Sequence, residues 1–582
     1  MKHRARNLAV SVLLVLSLVV SACTSNNEST NNANNGNSQG GSSDSGATSE
    51  PVSPEELYLG KYDPAIDVST VRILSPTVKF ANGETIDDNV WYQEYANKLG
   101  IKLTNEWTMV GDEPGGQGEQ KMNVSIASGD LPDIVPLNAS QLRQLADAGK
   151  LADMTEIYEK YASPFTKEVM TSSGLEALGS ATFDGKLLAI PAPTSKIDQA
   201  QMIWIRADWM EKLGLEAPKK MDDVFQIMDA FVNQDPDGNG KKDTYGMAMD
   251  KDLYGFFDGL EGFFNSYHAY PRQQGKGNWV KTADGSYEFG SIQPEVKTAL
   301  AKLQELYKKG YIDPEFGVKD WNKEKELIVS GKIGLWFGSM SAPLVAQDIK
   351  NNNPNAELLP FPLVSSDGNL VKAQVPGINL KTPQYLAVTK DAKHPEALLK
   401  MINLYFEVTN GKMYKQEEVD KLATSPVDGI ERWMYSIYTA EPEKNLTTHR
   451  LMKQIFTSKE KTETDVSVEQ MGAYRSVKKF IDGDKMETID WALNRVFSPE
   501  DSSFNVIDNY DKNGQLLPNA FNQVMTETMV KRDSTLLKQE LQTFTQIILG
   551  EPLDTFDTFV ENWKKLGGVE MTKEVNELMN AK

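Results

Sequence analysis

Three short apolar stretches decide the fold: VRILS (71–75), IKLTNEW (101–107) and DIVPL (133–137). Each has the length and composition of a buried β-strand. A helical pattern from Asp88 to Leu99 separates the first two, and another over about 116–128 separates the last two. Strands that alternate with helices through short links pair in parallel, with the helices on the faces of the sheet. The sequence therefore predicts an α/β fold.

Farther along the chain, helical periodicity dominates. Between Pro294 and Lys309 the apolar residues recur at intervals of four and three, with proline in the first turn and Gly310 after the end. The segment 395–406 also begins with proline. A length of 582 residues suggests roughly four domain-sized units, or fewer large lobes. The second half is predicted to be rich in helices.

Composition excludes several classes of protein. Sixty-one Lys and Arg against 82 Asp and Glu give a formal charge of −21, which argues against nucleic acid as a partner. The single cysteine excludes a disulfide framework and any multi-cysteine metal site. The only long apolar run lies at the start of the chain, so a polytopic membrane protein is excluded.

The first 22 residues have the pattern of a secretory signal peptide. Lys2, Arg4 and Arg6 precede an apolar run of 13 residues from Leu8 to Val20, which is too short for the roughly 20 residues of a membrane span. The run ends in VSAC (20–23), which resembles a bacterial lipobox and contains the only cysteine. That resemblance implies cleavage before Cys23 and lipidation of its sulfur. The alternative is an ordinary signal peptide with an incidental cysteine.

The residues after Cys23 indicate a flexible tether. Residues 24–50 contain no aromatic and no large aliphatic side chain, so they cannot bury enough surface to offset the entropy of ordering. We predict a tether over 23–60, about 30 Å across in its flexible part at ~5–6 Å × √n. Two or more acyl chains would anchor the protein stably to a membrane. The predicted location is the outer face of the cell membrane.

An acidic loop, DPDGNGKKD (235–243), has the spacing of a calcium-binding loop. Oxygen-bearing side chains stand at positions one, three, five and nine, with Gly240 at position six, and a hard oxygen set favours Ca²⁺. Position twelve is Gly246, so the bidentate glutamate of an EF-hand is missing. The alternative is an ion-free turn. The predicted structural Ca²⁺ ligands are Asp235, Asp237, Asn239, Asp243 and the carbonyl of Lys241.

Nine stretches in the body of the chain carry a family resemblance. They are ASGDLPDIV (127–135), LADAGKLADMT (145–155), FDGKLLAIP (183–191), WIRADWMEKLGLEAP (204–218), QDPDGNGKKDTYG (234–246), LYKKGYIDPE (306–315), SGKIGLWFG (330–338), KHPEALLKMINLYF (393–406) and ILGEPLDTFDTFVENWKKLGG (548–568). In this order they resemble the extracellular solute-binding lipoproteins of carbohydrate ABC importers, in particular the oligosaccharide-binding lipoproteins of Gram-positive bacteria and their alginate-oligosaccharide-binding relatives. The alginate-oligosaccharide-binding relatives carry a similar calcium loop, with a further acid where this chain has Thr244.

The resemblance implies a periplasmic-binding-protein-like α/β fold of two discontinuous lobes, joined by hinge segments around a central ligand cleft. Such lobes close on a ligand that binds outside the carboxyl ends of the strands. The expected divisions are a signal peptide at 1–22, the lipidated cysteine and tether at 23–60, a first lobe at 66–191 plus about 376–435, and a second lobe at 192–375 plus about 436–582.

Candidate ligand-binding residues are aromatic rings, which stack on sugar faces, and polar side chains, which bond to hydroxyl groups. Trp336 lies between glycines in a segment where the family has cleft residues, and Trp91 begins the first helix. Tyr270 and Arg272 lie in the polar loop HAYPRQQGKGNW (268–279). The last two candidates are Trp491 and Arg495.

The sequence favours a binding protein over an enzyme. It contains no HExxH, GxSxG or phosphate-binding loop, and the mature body has only His268, His394 and His449, of which the last is expected to be solvated. The predicted function is to capture a carbohydrate, which the family resemblance implies is an oligosaccharide, and to deliver it to the permease subunits of an ABC transporter. The protein itself is expected to be a monomer. A lipid-anchored polysaccharide-degrading enzyme and a ligand sensor for a two-component system are the alternatives, because two carboxylates suffice for a glycosidase.

Overall fold

The computed structural model describes residues 54–580, except 77, 82, 113–115, 173–175, 256, 378–379, 412, 424–429, 468 and 524. The predicted signal peptide, Cys23 and most of the predicted tether lie outside the described residues. Among the described helices, none is both long enough and apolar enough to cross a bilayer.

The first sheet has five strands, and three of them correspond to the stretches VRILS, IKLTNEW and DIVPL that were predicted to decide the fold. Its strand order is Ile101–Val110, Ile66–Leu74, Ile134–Leu137, Leu380–Val388 and Ala189–Pro193. The first three strands pair in parallel, as the alternation of strands and helices predicts. Leu380–Val388 runs antiparallel between two of its neighbours, with Tyr385 opposite Leu137 on one side and Pro191 on the other. A late segment of the chain therefore completes an early sheet.

The helix predicted over 88–99 is present as an α-helical turn followed by a π-helical turn, Val90–Glu94 and Tyr95–Leu99. Asn89 caps it, because its side chain accepts hydrogen bonds from the backbone N–H groups of Trp91 and Tyr92. Gly100 ends it at φ +66°, where a Cβ would lie 2.4 Å from the carbonyl oxygen of Tyr62. The buried face of this helix contributes Trp91 and Tyr95 to the core.

The other strands form small antiparallel or two-stranded units. A three-stranded sheet has Met202–Arg206 between Leu335–Gly338 and Leu358–Phe361, both antiparallel to it. The remaining pairs are Thr182–Phe183 with Lys186–Leu187, Trp279–Lys281 with Tyr287–Phe289, and Ala373–Val375 with Leu516–Pro518.

Helices cover both sheets. Those around the first sheet are Pro54–Leu59, Gln117–Ser128, Ala139–Asp147, Thr155–Tyr161, Pro164–Thr171, Glu176–Ser180, Ala397–Asn410 and Gln416–Leu422. Those around the second are Ala207–Leu213, Met221–Asn233, Glu261–Asn265, Pro294–Lys308, Trp321–Val329, Ala342–Val345, Ile349–Asn352, Lys444–Lys453, Met471–Asp482, Thr488–Phe497, Ser503–Lys512, Glu527–Leu549, Thr555–Trp563 and Val569–Asn580. The second half of the chain is helix-rich, as its periodicity predicts.

The buried hydrophobic residues form two separate cores, which define two lobes. The core of the first lobe takes its buried residues from 68–190 and 385–437. The core of the second lobe takes them from 200–375 and 446–575. Both lobes are therefore discontinuous in sequence, and the chain passes between them near residues 193–200, 375–380 and 437–446.

The beginning of the described chain corrects the length of the predicted tether. Residues 54–60 are not a free linker, because Pro54–Leu59 is a helix that docks on the first lobe. Lys400 Nζ donates to the carbonyl oxygen of Gly60 at 2.6 Å, and Asn403 Nδ2 donates to that of Tyr58 at 3.1 Å. The sequence did not predict this helix, because it is short and its apolar contact is limited to residues such as Tyr58 and Leu59, which are half-buried.

Candidate ligand-binding cleft

A cavity of about 300 Å³ lies where the two lobes meet. The first lobe contributes Ala139 and the strand residues Leu380, Gln384 and Tyr385. Ala139 follows the carboxyl end of the strand Ile134–Leu137, the edge at which α/β sheets bind ligands. The connections between the lobes contribute Gln199, Pro376 and Gly377, and the second lobe supplies the rest of the lining. A ligand in this cavity contacts both lobes.

Side-chain amides dominate the polar part of the lining. They belong to Gln199, Gln273, Gln274, Gln384, Asn519 and Gln523. Gln384 Oε1 accepts a hydrogen bond from the backbone N–H of Ala139 at 2.9 Å, and Gln274 Nε2 donates to Gln199 Oε1. Asn519 Oδ1 accepts from the backbone N–H of Trp279 at 2.9 Å. These bonds fix the amides while leaving further donors and acceptors for a ligand, since each amide offers up to four.

Rings and methionines form the apolar part of the lining. Trp279 packs edge-on against Phe289, with 5.4 Å between ring centroids, and Phe289 stacks on Trp563 at 4.9 Å. Phe521, Met525, Met529 and Met571 complete this wall. Trp279 is only 2% exposed, so the wall is held rigidly by the second core behind it. An apolar wall beside oriented amides suits a ligand that has an apolar face and a polar rim.

A buried ion-pair network supports one side of the cavity. Arg272 has no exposed surface and binds two carboxylates of the helix Glu527–Leu549: Nε lies 3.0 Å from Glu540 Oε2, and Nη2 lies 2.8 Å from Asp533 Oδ1. Tyr254 donates to the other oxygen of Glu540 at 2.7 Å. Asp533 lines the cavity, whereas Glu540 lies behind it. Arg272 thus joins the loop 268–279 to the helix and positions Asp533.

The predicted ligand-binding residues do not converge on this cavity. Trp91 is fully buried in the first core, with Nε1 donating to the carbonyl oxygen of Leu422. Trp336 is fully buried in the strand Leu335–Gly338 of the second sheet. In this structure both rings lie in the cores and not at the cavity, because large apolar side chains beside a strand or a helix cap also serve the core.

The other predicted contacts also lie outside the lining. Trp491 and Arg495 are buried or nearly so, and both bind Glu357 Oε2, at 3.0 and 2.8 Å. Arg272 does not line the cavity itself but binds the lining residues Asp533 and Gly275, the latter through its carbonyl oxygen at 3.0 Å. Tyr270 is half-buried, and its carbonyl oxygen accepts from Asn278 Nδ2 at 2.9 Å.

The loop 268–279 does contribute to the site, through residues other than those predicted. Gln273 to Gly277 and Trp279 line the cavity, while Tyr270 and Arg272 lie behind them. The sequence signal was the run of amides and glycines in QQGKGNW (273–279), which is unusual next to buried aromatic residues. No local signal indicated Gln384, Asn519 or Asp533, because their position depends on how distant segments meet.

The acidic loop at 235–243 holds its carboxylates close together. Gly240 has φ +75°, as the sharp turn at position six requires. Asp235 accepts from the backbone N–H groups of Asn239 and Gly240, and Asn239 Nδ2 donates to Asp237 and Asp243. Lys332 Nζ lies 2.6 Å from Asp243 and 3.6 Å from Asp237. This ion pair lowers the pKa of Asp243. The ammonium group of Lys332 therefore lies against the carboxylates of this loop.

Several carboxyl groups of the second lobe are buried, and one of them touches a residue of the cavity lining. Glu261 Oε1 accepts from the backbone N–H of Gln274 at 2.9 Å, and burial raises the pKa of Glu261 to about 7. Burial raises the pKa of Glu324 to about 8 and, above its usual range, that of Asp258. Among the described residues, no hydrogen-bond partner reaches Glu324 Oε2 or either oxygen of Asp258. These groups are most stable in the protonated form.

We expect Glu324→Gln to stabilise the protein at alkaline pH. Below about pH 4.5 the carboxyl group is protonated in both folded and unfolded chains; as pH rises toward 8, only the unfolded chain ionises, so stability is lost. Glutamine cannot ionise, so the gain over wild type should grow between pH 4.5 and 8 by on the order of 3 kcal/mol. Urea unfolding at both pH values measures this. Glu326→Gln, exposed on the same helix, is the control, and an equal gain at both pH values would contradict the prediction.

The histidines show no shared site among the described residues. His449 was expected to be solvated, but it is fully buried, with Nδ1 3.3 Å from the carbonyl oxygen of Phe497. Burial lowers its pKa to about 4, so the ring is neutral. His268 lies 3.0 Å from Asp367, and His394 packs edge-on against Tyr62. In the part of the chain that the structure describes, no three His, Cys, Asp or Glu side chains are arranged to hold one metal ion.

Comparison with known proteins identifies the protein family to which this chain belongs. Residues 82–411 match the family of bacterial extracellular solute-binding proteins, and the chain belongs to that family. Among individual proteins, it is 26% identical to Lipoprotein LipO of Bacillus subtilis over 88% of its length and 92% of that protein. It is 28% identical to the polygalacturonan/rhamnogalacturonan-binding protein YtcQ of Bacillus subtilis over 56% of its length, a match that spans only 61% of that relative.

A solved structure has the same fold. It is the structure of an HMO-binding, ABC-transporter-associated solute-binding protein from Bifidobacterium longum infantis. The TM-score is 0.61 at 15% sequence identity, over 89% of this chain and 99% of that one. At this identity the likeness concerns the fold alone, the two-lobed α/β fold of solute-binding proteins.

Proposed function

We propose that this protein captures an oligosaccharide between its two lobes and delivers it unchanged to an ABC transporter. The observation that carries the proposal is the cavity between the lobes, which is lined by fixed amides and by an aromatic and methionine wall. A sugar ring has an apolar face of C–H groups and a rim of hydroxyls. The wall suits the face, and the amides suit the rim. Family membership and the names of the relatives support the proposal.

The lining explains how binding would close the molecule. Gln384 belongs to the first lobe and Gln274 to the second, so one ligand that bonds to both connects the lobes. A ligand shifts the balance between open and closed forms only by binding the closed form more tightly. The three connections near 193–200, 375–380 and 437–446 are the places where the backbone would bend. The permease subunits would then recognise the closed form.

We further propose that Cys23 is lipidated and holds the protein as a monomer on the outer face of the cell membrane. The motif VSAC (20–23) and the polar residues 24–50 support this, and LipO, a relative over most of the chain, is named a lipoprotein. The docked helix Pro54–Leu59 would end the tether at the first lobe. Metabolic labelling with palmitate, lost in Cys23→Ala, tests the anchor.

The binding function is tested by thermal-shift screening with mono- and oligosaccharides, followed by small-angle scattering with any sugar that binds. The expected result is a higher melting temperature and a smaller radius of gyration in the presence of that sugar. Chromatography of the recovered sugar should show it intact, which separates a binding protein from a polysaccharide-degrading enzyme. Release of new reducing ends, or binding without contraction, would contradict the proposal.

We also propose that the loop 235–243 binds a structural Ca²⁺ ion. Asp235, Asp237, Asn239, Asp243 and the carbonyl of Lys241 would hold it, and the close carboxylates with Gly240 at positive φ support the proposal. Because Gly246 offers no ligand at position twelve, the ion would have fewer protein ligands than in an EF-hand. The ammonium group of Lys332, 2.6 Å from Asp243, would compete with it.

Chelation with EDTA is expected to lower the melting temperature, and excess Ca²⁺ to restore it, because the ion binds the folded chain. Lys332→Met removes the competing charge and should shift the calcium titration to lower concentration. Asp235→Asn should abolish the response, while Asp130→Asn, exposed and outside the loop, is the control. An unchanged melting temperature in EDTA and in excess Ca²⁺ would rule out the site.

A further inference from the structure

The cavity between the lobes is almost free of charged side chains. Among its described lining residues only Lys276 and Asp533 carry a formal charge, and their charges cancel. The lining includes no arginine, although Arg272 lies directly behind it. Apart from these two, the polar surface offered to a ligand consists mainly of neutral amides.

Arg272 cannot supply a positive charge to a ligand. It has no exposed surface, and its guanidinium group is already bound to Glu540 at 3.0 Å and Asp533 at 2.8 Å. Lys276 is exposed and forms no ion pair with a described residue, and it is the one cationic side chain among the described lining residues. A polyuronate chain has a carboxylate on every sugar, and moving several of them out of water against one lysine is unfavourable.

Asp533 faces the cavity as a fixed acceptor. Its side chain is 22% exposed, and Oδ1 accepts from Arg272, while Oδ2 accepts no hydrogen bond among the described residues. A carboxylate held in this way accepts strongly from a hydroxyl group and repels another carboxylate. It therefore selects between uncharged and acidic sugars.

From these observations we infer that the ligand is an uncharged oligosaccharide, with at least one hydroxyl group bound by Asp533. The inference rests on the proposed carbohydrate-binding function and narrows it. It separates this chain from YtcQ, whose name describes binding of polygalacturonan, an acidic polymer. Lys276 would then be a peripheral residue and not the anchor of the ligand.

The test is calorimetric titration of the full-length protein in detergent with tetrasaccharides of the two classes. The neutral probes are maltotetraose, cellotetraose, xylotetraose and nystose, and the acidic probes are tetragalacturonate and tetramannuronate. We expect saturable binding of at least one neutral probe and, for both acidic probes, affinities at least 100-fold weaker. Tighter binding of an acidic probe would overturn the inference and leave the proposed function intact. Binding of neither class would overturn both.

Two variants test the roles of the charged residues with the neutral probe that binds. Asp533→Asn should weaken binding by about 10–100-fold, the effect of losing a charged hydrogen bond. Asp557→Asn, exposed on the neighbouring helix, is its matched control. Lys276→Gln, which changes no described ion pair, should weaken binding by less than tenfold, because an exposed lysine contributes little to the affinity of an uncharged ligand. If Asp533→Asn lowers the melting temperature, only the affinity of Lys276→Gln tests the inference. A loss of affinity of more than tenfold in Lys276→Gln would show that the lysine anchors the ligand and would overturn the inference. Unchanged binding in a folded Asp533→Asn would also overturn it.

Discussion

Replacing Arg272 with methionine should lower the free energy of unfolding by about 3–5 kcal/mol. The substitution removes the one positive charge that binds Glu540 among the described residues, and it leaves this unexposed carboxylate buried beside Tyr254. It also releases Asp533 and the contact between the guanidinium group and Phe289, whose centroid lies 5.1 Å away. A buried charge that loses its partner is among the most destabilising changes in a protein.

Urea unfolding of the two proteins measures this loss. Arg143→Met is the control, because Arg143 forms an exposed pair with Asp147 within one helix, a contact worth at most about 1 kcal/mol. The double variant Arg272→Met/Glu540→Met should recover part of the stability, since it removes the isolated carboxylate together with its partner. A loss below 1 kcal/mol in Arg272→Met would show that the network does not stabilise the second lobe.

Trp336→Ala is expected to destabilise the protein by a similar amount, about 3–5 kcal/mol. The ring is fully buried in the second core, 5.8 Å from the ring of Phe257, and its strand pairs with Trp204 and its neighbours. Removing it leaves a cavity that packed side chains cannot fill. Its Nε1 has no hydrogen-bond partner among the described residues, so Trp336→Phe removes no bond and should cost clearly less than Trp336→Ala.

The same variants distinguish a core residue from a ligand contact. Trp336→Phe should bind sugar with wild-type affinity in a calorimetric titration, whereas Trp279→Phe, at the cavity wall, should weaken binding. Unfolding midpoints of both variants show how far each remains folded. Loss of sugar binding in a folded Trp336→Phe would restore this ring as a ligand contact and would contradict its assignment to the core.

Much of the fold follows from sequence because the signals are local and periodic. The strands at 66–74, 101–110 and 134–137 and the helix closed by Gly100 are read from apolar patterns and caps. The local sequence WIRADWMEKL (204–213) also predicts a core position for Trp209 and a salt bridge between Arg206 and Asp208, and the structure has both, at 2% exposure and 2.6 Å. The docked helix at 54–59 was missed, because six residues carry too little pattern to separate from a polar linker.

The site was harder to predict, because it depends on which distant segments meet. Trp91, Trp336 and Trp491 have the composition of ligand contacts but serve the cores, and nothing in a single sequence tells the two roles apart. The residues that do line the cavity, such as Gln384 and Asn519, are ordinary amides in unremarkable surroundings. Only the pairing of Leu380–Val388 with the first sheet, and of Ala373–Val375 with Leu516–Pro518, brings them together.

The strand Leu380–Val388 has a consequence for how the molecule acquires its structure. It pairs with Ile134–Leu137 and Ala189–Pro193. Because the chain is made from its amino end, these two strands lack the hydrogen bonds of their shared partner until about two thirds of the chain has been made. The second core likewise waits for the helices beyond residue 446. Contacts so distant along the chain form slowly. Neither lobe can therefore complete its core before the later segments of the chain have been made.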